Sequence, residues 1–578
     1  MNRRFLSIVL VLVACADAAS LATAGWARAQ YAQFEPAVRL RRFTCKAADG
    51  VKVAGIAAVP AEASPLSPAA VVVHGFTSFK ERMLGVAVEL ATRGIVASVI
   101  DLRGHKGSGG RSSFGTREWL DVAAALDWMG EHLACNESNA AVVGTSMGAV
   151  TAILAGALDP RVRVVVEASG FANVSDLADP SKSQFLQAVP PFLRERLDVP
   201  LDFRPSEFVN ESYPAALMVV HGTADDTVPF SHGLELYSRS VGGGSPVARR
   251  EFFQSEAGHG VWHDDPGAWE AIVAFCEEEL TGRASPSGPA SSELTRRLTK
   301  TPDVFLYAGL PAAGLASFPL AWLAGRLVDE RRRGAGDDRA GTDATGLART
   351  TRAALLAGGV ALLTGACALD RALADSGFLP SAINLIVPNL FFALGAGLAI
   401  ALTLGKRVLG SCRAGAAFET GPAAWVTPAV ALAHVLLVAN LGALLAFAPL
   451  LLPRSTFWEF FLPLASFFSA NELVSRAALE RGLSGKLAGQ GTSPKNHALF
   501  VAGTTATTTA LWWGLAPLYV PVRIRLGLFN PELLLPVLAA VGGAVGAATY
   551  RVTRNFLSGA LLVGATAAVL LSALMPAF

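Results

Sequence analysis

The stretch AAVVGTSMGAVTAIL runs from Ala140 to Leu154 and joins three patterns. The apolar run Ala140 to Val143 reads as a buried strand, and the alanine-rich run after Met147 reads as a helix. Between them, Gly144-Thr145-Ser146-Met147-Gly148 fits G-x-S-x-G. At so sharp a strand-to-helix turn the serine is forced into a strained backbone. Glycines on both flanks relieve the crowding, and the hydroxyl is left exposed at the carboxyl edge of the sheet. The following helix also directs its amide-bearing N-terminus at negative charge developing there. Ser146 is therefore a candidate nucleophile.

Working outward, β-branched runs such as AAVVVHG, IVASVID, VRVVVEAS and ALMVVHG alternate with amphipathic stretches such as Thr116 to His132. Near-continuous apolar strands between helices predict a parallel sheet covered on both faces, an α/β domain over residues 31–280. Residues 281–302 open with TGRASPSGPASS, lack periodicity there, and read as a linker.

A hydroxyl needs a base to become a nucleophile, and the base needs an orienting acid. Downstream, HGTADDTVP (His221 to Pro229) follows an apolar strand and supplies Asp225 and Asp226, while EAGHG (Glu256 to Gly260) supplies His259. The chain order serine, aspartate, histidine is that of α/β-hydrolases. Upstream, VVVHGFTSFK (Val71 to Lys80) places a glycine turn after a strand. The backbone amides of Phe76 and Met147 are the candidate oxyanion donors, worth a few kcal/mol in comparable sites.

With these motifs in order, residues 40–280 resemble an α/β-hydrolase of the dienelactone-hydrolase, prolyl-oligopeptidase-like or serine-aminopeptidase-like kind. The resemblance is carried by HGFTSFK, DLRGHKGSGG (Asp101 to Gly110), GTSMG, HGTADDTVP and AGHG. It implies a doubly wound, mostly parallel sheet and an esterase or peptidase acting on a small ester or peptide without a cofactor. Ser146 is then the nucleophile, Asp225 the orienting acid and His259 the general base. Asp225 fits the pattern H-G-x-x-D-x-x-V-P; Asp226 is the alternative, and it equally fits capping of the next turn.

The remaining histidines take plainer roles. His74 and His221 precede glycines after strands and His105 lies in the DLRGH turn, so all three are expected to hydrogen-bond loops. His263 follows His259 by four residues, yet no third ligand pattern accompanies them, so no metal site is expected. Cys45, Cys135 and Cys276 are scattered without disulfide or CxxC spacing, and Cys135 and Cys276 read as core-edge thiols. Phe171 to Tyr213 lies between two strands, where a lid over the site is expected, and its SQFLQAVPPFLRERL offers apolar walls.

The whole chain is another matter. Its 578 residues are only 16% charged and its mean hydropathy is positive, too apolar for one soluble globule. Net charge is +2, which points to no nucleic-acid partner. Residues 1–30 combine Arg3-Arg4, the apolar FLSIVLVLVA and small residues around Ala27 and Ala29, the plan of a secretory signal. LVAC (Leu12 to Cys15) resembles a lipoprotein signal, and an uncleaved anchor is a third reading. All three export the α/β domain.

Residues 303–578 hold apolar stretches long enough to span a bilayer. They are Val304 to Ala324, Ala353 to Leu369, Ala382 to Leu404, Ala423 to Leu452, Phe457 to Leu479, Ala498 to Val522, Leu533 to Tyr550 and Phe556 to Phe578. An all-α transmembrane domain of about eight helices in a lipid bilayer is expected. With the α/β domain outside, the inside connections hold fifteen Lys and Arg against seven outside, as positive loops require.

Glu472 and Arg476 pair at helical spacing inside one stretch, beside Glu459 and His434 as further ionisable candidates. FFSANELVSRAALERG weakly resembles the E-E-x-x-x-R motif of CAAX-protease-like intramembrane metalloproteases. Asn471 stands where that motif has its first glutamate, and the later histidine-bearing motifs are missing. The threonines of 504–509 read as interhelical hydrogen bonding. Two functions follow: a membrane-tethered extracytoplasmic serine hydrolase, or a transport or sensing protein whose hydrolase-like domain binds a ligand without turnover.

Overall fold

The computed structural model of the protein describes residues 3–76, 78–178, 202–210, 212–242, 246–283, 289–334 and 422–445, with 545, 561–564 and 566. Strands are β1 (Val38–Lys46), β2 (Lys52–Pro60), β3 (Pro68–Val73), β4 (Val96–Asp101), β5 (Asn136–Thr145), β6 (Val162–Ala168), β7 (Ala216–Gly222) and β8 (Arg250–Ser255). The longer helices are α1 (Arg3–Ala32), α2 (Lys80–Thr92), α3 (Trp119–His132), α4 (Met147–Leu158), α5 (Phe230–Val241), α6 (Pro266–Thr281), α7 (Pro289–Leu298), α8 (Leu310–Gly334) and α9 (Pro422–Leu445).

The strands form one sheet in the order β1-β2-β4-β3-β5-β6-β7-β8. β1, β2 and β4 pair antiparallel, and every pairing from β4 across to β8 is parallel. Strand alternation sends successive side chains to opposite faces. Val71, Val73 and Val142 enter a cluster with residues of α3 and α4, while Ala70, Val72, Ala141 and Val143 enter one with Met83 and Leu84 of α2 and Trp269 and Ile272 of α6. Both faces are therefore dry, which is why these strands are apolar throughout rather than alternating. Each fully buried valine or leucine contributes about 1.5–3 kcal/mol of transfer free energy. The chain winds from β3 to β4 on one side and continues as β5 on the other. That reversal opens a crevice at the carboxyl ends of β3 and β5, where ligands bind in open α/β sheets.

The region 281–302 differs from a bare linker. Residues 289–298 form α7, which docks on α2 and α6. Thr295 Oγ1 donates to Glu89, Arg296 donates to the His263 carbonyl (2.8 Å), and Arg82 donates twice to Asp303 (2.9 and 2.7 Å). Gly85 lets α7 approach, since a Cβ there would collide with the Thr295 carbonyl. Tertiary docking and Glu293 pairing with Arg296 and Arg297 make a helix where Pro, Ser and Gly upstream suggest none.

At the N-terminus, α1 continues unbroken through Ala27-Arg28-Ala29, with Ala24 and Ala27 wholly buried. It packs on α8 and α9; Asp17 pairs with His434 Nε2 at 3.0 Å, and Tyr31 donates to the Leu298 carbonyl. The Phe305 ring fills notches left by Gly309 and Gly442. By length and composition, Leu6–Ala32 and Val426–Ala443 can cross a membrane. The expected span from Val304 is not one uniform α-helix: Thr301–Val304 is a short helix, Phe305–Gly309 winds as a wider turn, and α8 begins at Leu310. Residues 353–369, 382–404, 457–479 and 498–522, with Glu459, Glu472, Arg476 and 504–509, lie outside the described residues, as do residues 179–201 of the expected lid.

Candidate active site

Ser146 caps the N-terminus of α4 with φ +55° and ψ −120°, a conformation non-glycine residues rarely adopt. Holding it there costs about 1–3 kcal/mol, so the surroundings must impose it. They do so through the glycines: a Cβ on Gly144 would collide with the Gly148 carbonyl, and one on Gly148 would lie 2.6 Å from the carbonyls of Val73 and His74. The Ser146 amide donates to the Ala168 carbonyl at the end of β6 (2.8 Å), tying the turn to the neighbouring strand.

The turn after β3 lies against Ser146; a Cβ on Gly75 would stand 3.1 Å from Ser146 Cβ and 3.7 Å from its Oγ. Its orientation comes from His74. The Leu102 amide donates to His74 Nε2 (3.2 Å), so the proton of this neutral ring sits on Nδ1, which donates to the Gly75 carbonyl at 2.7 Å. Burial, with the neighbouring His105 second, pushes His74 down to about 3, so the ring stays neutral. Ser78 N donates to the same carbonyl (3.1 Å). In a trans peptide the N–H opposes the C=O, so this fixes the Phe76 N–H on the side away from the His74 ring. His105 then lies against the Phe76 carbonyl at 2.5 Å and the Arg103 carbonyl at 3.0 Å. Met147, first residue of α4, has an amide without an intrahelical acceptor, as every first-turn amide does.

At the ends of β7 and β8, Asp225 and His259 meet. His259 Nδ1 is 2.8 Å from Asp225 Oδ2, and the Thr227 and Val228 amides donate to Asp225 Oδ1 (2.9 and 2.8 Å). The histidine loop is held close because a Cβ on Gly222 would collide with the Ala257 carbonyl, and Ala224 N donates to that carbonyl. Asp226 is exposed; the bond recorded for it comes from Thr227 Oγ1 at 3.4 Å. His221 lies buried beside Asp225, with Nε2 3.0 Å from the Val228 carbonyl.

Several residues around the site went unremarked in the sequence. Phe114 and Phe171 stack at 5.1 Å and Phe114 meets Phe76 edge-on at 5.3 Å, an aromatic cluster buried within the core. Glu118 organises the 112–118 loop by accepting from Ser112, Ser113 and Gly115. Glu167, a lone acid in an apolar strand, is wholly buried. Among the described residues no group of three or more His, Cys, Asp or Glu is arranged for a metal. Burial pushes the Cys135 thiol up to about 11 and that of Cys276 up to about 12, keeping both protonated.

Residues 83–283 match the prolyl oligopeptidase family. Solved structures similar to the chain include an esterase from Pyrococcus furiosus, 20% identical, covering 43% of this chain and 96% of that one at a TM-score of 0.36. An acylaminoacyl peptidase from Pyrococcus horikoshii is 14% identical, covering 44% of each chain at 0.35. An esterase domain from Rhodothermus marinus is 17% identical, covering 42% of this chain and all of that one at 0.31. No curated protein matches. The α/β domain is a hydrolase domain of α/β-hydrolase fold.

Proposed function

We propose that the chain is a membrane-tethered serine hydrolase whose α/β domain lies outside the cytoplasm and cleaves carboxyl esters or peptide bonds. The observation that carries this reading is the imposed φ of Ser146 at the end of β5, with the Asp225–His259 pair beyond the ends of β7 and β8 at the same edge of the sheet. Because His259 donates through Nδ1 to Asp225, its Nε2 is left as a base. It takes the proton of Ser146 Oγ as that oxygen attacks the substrate carbonyl carbon. The amides of Phe76 and Met147 stabilise the oxyanion, His259 returns the proton to the leaving group, and water then hydrolyses the acyl-enzyme by the reverse relay.

The test is labelling of the purified full-length protein with a fluorophosphonate. Covalent modification mapped to Ser146 is expected; failure of the folded protein to react ends the reading. His74 supplies a second check. His74→Leu removes the strut under the Phe76 peptide, and kcat is expected to fall about 10²-fold with KM little changed. An unaltered kcat means the turn holds itself.

For the tether, the packing of α1 on α8 and α9 supports retention of the N-terminal helix rather than its removal. With Arg3 and Arg4 inside, α1 carries the chain outward and α8 returns it toward the basic Arg326–Arg333 region. Intact mass measurement of the purified protein is expected to include residues 3–32. A chain starting at Cys15 with added lipid, or near Tyr31, overturns this part alone.

A further inference from the structure

We propose that Glu167 is a positioning residue of this site, acting as an un-ionised carboxyl beneath the Ser146 turn, and that its deprotonation disables the site on the alkaline side. The inference rests on the reading of Ser146 as nucleophile.

Glu167 stands next to last in β6, in register with Gly144 of β5 and Val219 of β7, and none of its surface is exposed. Its Oε2 accepts from the Gly170 amide at 2.8 Å, while Oε1 has no hydrogen-bond partner among the described residues. The turn it holds is tightly packed: a Cβ on Gly170 would lie 2.9 Å from Ala149 Cβ in the first turn of α4 and would collide with Glu167 itself. Ser169 in that turn has φ +55° and donates from its amide to the Val220 carbonyl (2.8 Å), and Ala172 N donates to His232 Nδ1 (3.1 Å). Ala168, between Glu167 and Ser169, offers the carbonyl that accepts the Ser146 amide. The carboxyl therefore braces a strained turn that in turn braces the nucleophile's backbone.

An ionised Glu167 would leave one buried oxygen charged and unbonded, a state that burial strongly disfavours. Desolvation raises the group to about 8; the Gly170 N–H opposes the shift, and the negative charge of Asp225 adds to it. Other ionisable groups at this end of the sheet include His259 beside Asp225, His74 and His105 in the turns after β3 and β4, His221 on β7 and His232 on α5; burial holds His74, His105, His221 and His232 below the usual histidine range. α4 carries no ionisable side chain. Once the proton leaves, relief requires water to enter the turn, and the Ala168–Ser146 bond loosens with it.

The experiment measures fluorophosphonate labelling rates of the full-length protein from about pH 6 to about pH 10 for wild type and Glu167→Gln. The amide variant keeps an acceptor for Gly170 and carries no charge. Wild type is expected to lose labelling about tenfold per pH unit above the ionisation of Glu167, while Glu167→Gln stays level. An identical alkaline fall in both proteins, or none in wild type, overturns the proposal. Thermal melting reports independently of activity. Folding raises this carboxyl, so the folded chain keeps a proton that the unfolded chain releases, and stability falls as pH climbs from the usual glutamate range to about 8. The melting temperature of Glu167→Gln should therefore gain on that of wild type across this window. A constant difference overturns the proposal even if no labelling is seen, whereas absent labelling with a widening difference overturns only the nucleophile reading.

Discussion

Ser146→Ala in the full-length protein is expected to lower turnover of any ester the wild type cleaves by about 10⁶-fold in kcat, with fluorophosphonate labelling lost. The substitution is clean because alanine meets the same backbone demand at φ +55° as serine, so no new strain enters. The amide bond from residue 146 to the Ala168 carbonyl survives, as do the flanking glycine contacts, and the melting temperature should move little. Only Oγ disappears. What remains is oxyanion stabilisation and binding, which in comparable enzymes leave about 10³–10⁴-fold acceleration over water. Hydrolysis undiminished in Ser146→Ala would assign the chemistry to another group and remove the acyl-enzyme scheme.

The β5–Ser146–α4 unit was legible because its signals are local: β-branched residues, two glycines and an alanine-rich helix all lie within fifteen positions. The sheet followed from the same logic repeated, since strands buried on both faces cannot carry polar alternation. The supports of the site were not legible in this way. His74 acts through Leu102, His105 through Phe76, and α7 through Glu89, partners tens to hundreds of positions away that only the strand order brings together. α7 in particular gains little from its own composition; docking on α2 orders it. Glu167 did leave a trace, a lone acid in VRVVVEAS, yet the sequence cannot say whether such a group faces solvent or the turn beneath Ser146. The hydropathy of α1 likewise fits a discarded signal and a retained span equally, and its packing on α8 and α9, with the pairing of Asp17 to His434, joins positions too far apart in the chain to be read from sequence.

Asp225 and Asp226 are adjacent, and exchange of each for asparagine separates them sharply. Asp225→Asn is expected to lower kcat about 10⁴-fold, while Asp226→Asn should stay within about twofold of wild type. The reason lies in the two oxygens of Asp225. Oδ1 accepts from the amides of Thr227 and Val228, so an asparagine must keep its carbonyl oxygen there and turn its NH₂ toward His259 Nδ1. Two donors cannot face each other. The imidazole therefore shifts its proton to Nε2, and the nitrogen needed as a base toward Ser146 becomes a donor instead. Because the amide is nearly the same size and keeps both backbone bonds, folding is preserved and the loss falls on kcat. Asp226 is exposed, and losing its long contact with Thr227 Oγ1 at 3.4 Å touches nothing in the relay. Equal losses from both substitutions would mean that the pair acts through its summed charge, and the orienting role would no longer belong to Asp225.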